Sequence, residues 1–125
     1  MIVDAEADAR DAVSRRLRRA GFATLEASSG VSALGAIRGT HIDLLVVAIP
    51  LTDMHPIELA NVIKNDPATN SLPILALSAH QSSEGGMDEL SRVADVHLWK
   101  PVHETELLVS VQSLIGDVGG QSMPA

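Results

Sequence analysis

The run "IDLLVVAI" (42–49) constrains this chain most, because every position except Asp43 is apolar. A strand with one wet face alternates apolar and polar residues. A strand covered on both faces does not, and such strands belong to parallel sheets flanked by helices. "PILALS" (73–78) is a second buried strand. "MIVD" (1–4), "FATLEA" (22–27) and "VHLWK" (96–100) read as shorter strands, the middle one alternating as if half-buried.

Amphipathic stretches lie between them. Residues 8–21 place Ala9, Val13, Leu17 and Ala20 at helical spacing, with Gly21 as the stop. A short helix starts from serine in "SSGVSALGAIRG" (28–39), and "PIELANVIKN" (56–65) carries Pro56 in a first turn. "GMDELSRVA" (86–94) is helical, weakened at its start by Gly85-Gly86. Residues 102–116 form a last helix with Leu107, Leu108, Val111, Leu114 and Ile115 inward. One domain is expected over 1–116, then a flexible tail or linker start over 117–125.

Five strands alternating with five helices imply a parallel sheet with helices on both faces. Right-handed crossovers narrow this α/β chain to a doubly wound, flavodoxin-like (βα)5 sandwich of strand order 2-1-3-4-5. Ligands of such sheets bind beyond the carboxyl ends of the strands. The positions to inspect are Asp4-Ala5-Glu6, Ala48-Ile49-Pro50, Ser78-Ala79-His80 and Lys100-Pro101.

Composition excludes several function classes. There is no cysteine, hence no disulfide framework and no thiolate metal site. No apolar run approaches the roughly 20 residues of a membrane span, and "MIVDAEAD" has no signal-peptide pattern, so a cytoplasmic protein is expected. The formal charge is -7. Arg10, Arg15, Arg16, Arg18 and Arg19 read as the solvated face and last turn of one helix, not as a nucleic-acid surface. Phe22 and Trp99 are the only aromatics, too few to stack bases or a flavin. The first loop, "DAEADAR", has no glycine to cradle a phosphate. The histidines show no ligand spacing for zinc, and Ser78 with Lys100 lacks the G-x-S-x-G elbow of a hydrolase. No enzymatic activity is expected.

Five motifs together carry a family resemblance: "IVDAEADAR", "RRAGF", "DLLVVAIPLTDM", "DPATNSLPILALSA" and "LWKPV". Ser78 lies 30 residues after Ala48, and Lys100 lies 52 after it. From Met1 to about Gly116 the chain resembles the receiver domain of bacterial two-component response regulators, the CheY-like family. That resemblance implies a phosphorelay protein. In the family, two acids after the first strand and an aspartate ending the third hold Mg²⁺. The third-strand aspartate accepts phosphate from a histidine kinase. A Ser or Thr ending the fourth strand and a lysine ending the fifth contact the phosphoryl group, and an aromatic three residues before the lysine changes rotamer.

By that resemblance Asp4 matches the first acid, Ser78 the hydroxyl, Lys100 the lysine and Pro101 its proline, whose peptide bond is expected to be cis. Ala5 replaces the second acid and Ala48 the phosphoacceptor. His97 stands at the switch position, and His55-Pro56 replaces an acid-glycine pair. A methyl group cannot attack phosphorus. Mg²⁺ requires near-octahedral oxygen ligation, so one remaining acid is expected to hold it weakly or not at all, and no cofactor is expected. Glu6 reads as a helix N-terminal charge and Asp53 as a solvated loop residue.

A lysine at such a strand end needs a counter-charge. Asp4, expected to end a neighbouring strand, is the candidate. The expectation is a pseudo-receiver working through a protein partner, independent of phosphorylation and without membrane or nucleic-acid contact. Its expected interaction face, also the face for a homodimer, comprises Met87, Leu90, Val96, Leu98, Glu104 and Leu108. The outer charges there are Glu84, Asp88, Glu89, Asp95, Glu104 and Glu106. Two alternatives stand beside it: a small-ligand or anion sensor using the vacated pocket, and a regulatory fragment of a longer response regulator.

Overall fold

A computed structural model of the chain describes residues 1–49, 51–78 and 94–115. The strands are β1 (Ile2–Val3), β2 (Glu26–Ala27), β3 (Leu45–Ile49), β4 (Ile74–Ser78) and β5 (Val96–Trp99). All pair in parallel, in the order β2-β1-β3-β4-β5. The described helices are α1 (Ala7–Arg19), α2 (Gly30–Gly39), α3 (Pro56–Asn65) and α4 (Glu104–Ile115). The expected doubly wound, flavodoxin-like sheet is present.

Strand side chains alternate between two cores, which is why the central strands must be apolar throughout. Val46 and Ala48 of β3 join Leu75 and Leu77 of β4 against Val13 and Leu17 of α1 and Leu107 and Val111 of α4. Leu45 and Val47 face the other way, with Val3 and Ile74, against Ala33 and Ile37 of α2 and Leu59 and Ile63 of α3. Each fully buried aliphatic side chain contributes about 1.5–3 kcal/mol. Among the described residues no helix is long and apolar enough to cross a membrane.

Every strand is shorter than its sequence pattern, β2 and β3 most clearly for local reasons. Of "FATLEA" only Glu26 and Ala27 pair with β1. Gly21, at φ 99°, turns the chain out of α1, and the Phe22 amide donates to the Leu17 carbonyl. Phe22 thus serves the helix stop and packs on the α1–α4 core, while Leu25 stays 44% exposed at the sheet edge. β3 starts at Leu45, because Asp43 is exposed and bonds His41 Nε2 at 2.8 Å. Asp95 is more than a solvated charge. Its carboxylate accepts from the Ile74 amide at 2.8 Å, and its own amide donates to the Ile74 carbonyl, joining β5 to the start of β4. Nearly all of the helix expected over 86–94, and the tail expected over 117–125, lie outside the described residues.

Candidate functional site

A parallel sheet brings the carboxyl ends of all its strands to one edge. Asp4 follows β1 there and is 4% exposed. Its Oδ1 accepts from the Glu6 amide at 2.9 Å, and its Oδ2 accepts from Lys100 Nζ at 3.3 Å. Its carbonyl accepts from Arg10 Nη1 at 2.8 Å, and Arg10 Nε reaches the Glu26 carboxylate at 3.1 Å. The counter-charge expected for Lys100 is therefore present. The geometry differs from the expected one in a single respect: β1 and β5 are not neighbours, since β3 and β4 lie between them. Three strand spacings separate them, about 14 Å. The ion pair spans the ends of both intervening strands.

Those ends carry Ala48 and Ser78, both buried, at 1% and 2% exposure. Ala48 contributes only a methyl group, and it packs into the α1–α4 core. The Ser78 hydroxyl lies 2.6 Å from His97 Nε2 on β5. The His97 ring sits against Trp99, with centroids 4.7 Å apart and planes tilted by 33°. Burial holds the His97 imidazole below its ordinary pKa, favouring the neutral ring. β5 is tied to β4 by the Lys100 amide, which donates to the Ser78 carbonyl at 2.7 Å, and the Lys100–Pro101 peptide is cis. Arg16 Nη1 donates to the Val102 carbonyl at 3.1 Å, anchoring the chain just beyond.

The donor set does not fit Mg²⁺. Both Asp4 carboxylate oxygens are engaged within the protein, and Ala5 and Ala48 bring no side-chain oxygen. Among the described residues no three His, Asp or Glu side chains gather closely enough to hold a metal ion.

Sequence reasoning missed two residues. Asp53 is exposed yet organised: Oδ1 accepts from the Gly30 amide and Oδ2 from the Val31 amide, both at 2.9 Å. These bonds hold its carboxyl below the ordinary range. They fasten the loop after β3 onto the first turn of α2, which has no acid of its own. A Cβ on Gly30 would meet Met54 Sδ at 2.5 Å, so glycine there permits the close approach. Arg10 is the second, bridging α1 to the ends of β1 and β2. No local pattern marks either residue. Glu6 sits at the start of α1, as expected. On the expected interaction face Val96 and Leu108 are half-buried and Glu104 is exposed. Leu98 is 9% exposed and belongs to the core, so it is not part of that surface. Met87 and Leu90 lie outside the described residues.

Comparison with known proteins agrees with the fold. The family described as the response regulator receiver domain matches residues 1–112. The phosphate regulon transcriptional regulatory protein PhoB of Pseudomonas aeruginosa is 30% identical over 119 residues, 95% of this chain and 52% of PhoB. The polar-differentiation response regulator DivK of Brucella ovis is 24% identical over 102 residues, covering 81% of this chain and 82% of DivK. The chain spans about half the length of the transcriptional regulators it matches. In fold it resembles the CheY-like response regulator receiver domain protein of Methanospirillum hungatei JF-1. That structure has a TM-score of 0.80 and 23% identity, covering 90% of this chain and 88% of the other. With the family matched over nearly its whole length, the chain belongs to the response regulator receiver domains of two-component signalling.

Proposed function

We propose that this receiver domain takes no phosphoryl group and signals by protein–protein contact. The observation that carries the reading is Ala48, a buried methyl group at the end of β3, where the family resemblance calls for the phosphoacceptor aspartate. Acyl-phosphate formation needs a carboxylate nucleophile, and phosphoryl transfer needs a metal to neutralise developing charge. Ala48 and Ala5 remove both. Lys100, the cation that would meet the phosphoryl group, is held by Asp4 at 3.3 Å. The domain works in the cytoplasm, has no enzymatic activity, and meets its partner on the surface that includes Val96, Glu104 and Leu108. The same surface serves a homodimer.

The test is incubation with acetyl phosphate and Mg²⁺, or with beryllofluoride, followed by amide NMR. Unchanged spectra are expected. Shifts clustered at Asp4, Ala48, Ser78 and Lys100 would overturn the reading.

A second reading concerns the output. Coverage of only about half of the matched transcriptional regulators supports a regulatory part within a longer regulator. Coverage of 82% of DivK supports a free-standing domain. The mass of the native protein, measured in source cells by immunoblot, separates the two.

A further inference from the structure

The loop Leu51–His55 leaves the same sheet edge and is fastened at both ends by side chains that hold in one protonation state only. Asp53 grips the first turn of α2 as a carboxylate, through Gly30 and Val31. At the other end His55 caps α3. Its Nδ1 accepts from the Ile57 amide at 3.1 Å, and its own amide donates to Glu58 Oε1 at 3.0 Å. This is a capping box built around an imidazole. The usual capping residues, Ser, Thr, Asp and Asn, keep their acceptor oxygen at neutral pH. An imidazole nitrogen accepts only while it is deprotonated.

We propose that His55 makes this loop a proton-responsive latch: mild acid releases the cap of α3 while Asp53 still holds the loop to α2. Once protonated, Nδ1 would aim an N–H at the Ile57 N–H, and a positive charge would stand at the positive end of the helix dipole. Histidine changes charge between roughly pH 5 and 8, whereas a carboxylate that accepts two amide bonds stays charged well below that window. Glu58 on α3 accepts from the His55 backbone amide, and Asp53 in the loop is already committed to α2. The first turn of α2 brings backbone amides and no acid. Glu58 still accepts from the His55 amide, but it cannot restore an acceptor for Ile57. Acid therefore frays the first turn of α3 and leaves the sheet intact. This inference does not depend on whether the domain takes phosphate.

The test is an NMR titration of the full chain from pH 8 to pH 5. The Ile57 and Glu58 amides are expected to move with the midpoint of the His55 ring. Exchange of the Ile57 amide, corrected for its intrinsic pH dependence, is expected to quicken about five-fold on the acid side, as loss of a typical cap implies. Gly30 and Val31 are expected to stay still in this window. His55→Asn supplies an acceptor that does not titrate and should abolish the step with α3 still ordered. An Ile57 amide that ignores the His55 titration, or a step that persists in His55→Asn, would overturn the proposal. Movement of Gly30 and Val31 at the same midpoint would overturn the separation of the two latches.

Discussion

The ends of β1 and β3 lie side by side, joined by parallel pairing, yet they are built from opposite materials. β1 is followed by Asp4, whose two carboxylate oxygens and carbonyl are all occupied by Glu6, Lys100 and Arg10. Ala48, one residue before the end of β3, needs no side-chain partner and joins the core. A methyl group can replace a carboxylate at low cost when nothing is left unpaired. A carboxylate beside a half-buried lysine cannot be removed so cheaply, because the remaining charge loses its compensation. The polar residues Asp4 and Lys100 of this edge compensate one another.

The largest test of that contrast places acids at both alanine positions. Ala5→Asp with Ala48→Asp is expected to convert spectra insensitive to beryllofluoride and Mg²⁺ into spectra that respond around Lys100. Continued silence would mean that the Asp4–Lys100 pair blocks the pocket even with the acids present. Next, Asp4→Ala should cost about 2 kcal/mol by urea denaturation. That is less than the 3–5 kcal/mol of a fully buried pair, since the Lys100 side chain keeps 26% exposure. Asp4→Leu with Lys100→Met should recover most of it, and a double variant as weak as Asp4→Ala would sink the compensation argument.

Ser78→Ala removes the hydroxyl beside His97 and should cost about 1 kcal/mol, read in the same denaturation series. The pH dependence at His97 has a definite sign. Its folded pKa lies below the ordinary value, so its contribution is present above that value and lost as pH falls toward the folded one. His97→Gln should flatten stability against pH in that window. The smallest effect is expected from Asp53→Asn, an exposed site, where the readout is local. The Gly30 and Val31 amides should lose their acid titration. In the parent protein the Asp53 contribution is present above the ordinary carboxylate range and fades as pH falls through its depressed value.

Much of the fold was legible because burial on two faces leaves a plain mark. The apolar runs at 42–49 and 73–78 contain β3 and β4, and the helix expected over 56–65 is α3 to the residue. The misjudged strand, 22–27, lies at the sheet edge, where Phe22 is claimed by the end of α1 and pairing is limited to two residues. At the site, Asp4, Ala48, Ser78 and Lys100 were identified from strand ends. Their partners were legible only for the ion pair, where charge balance demanded one. Asp53 resembled any acid in a loop, and His55 a mere departure from an acid-glycine pair. Capping by side chain depends on where a neighbouring backbone amide points.

The sequence by itself determined a parallel sheet and the edge at which its chemistry would lie. Periodicity and residue type are local quantities, and those conclusions need nothing more. Only the tertiary structure decided which groups meet. Lys100 finds Asp4 across 96 positions and two intervening strands, His97 finds Ser78 across 19, and Asp53 finds the amides of α2. Periodicity says which face a side chain takes. The twist and order of the sheet and the path of each loop select its partner.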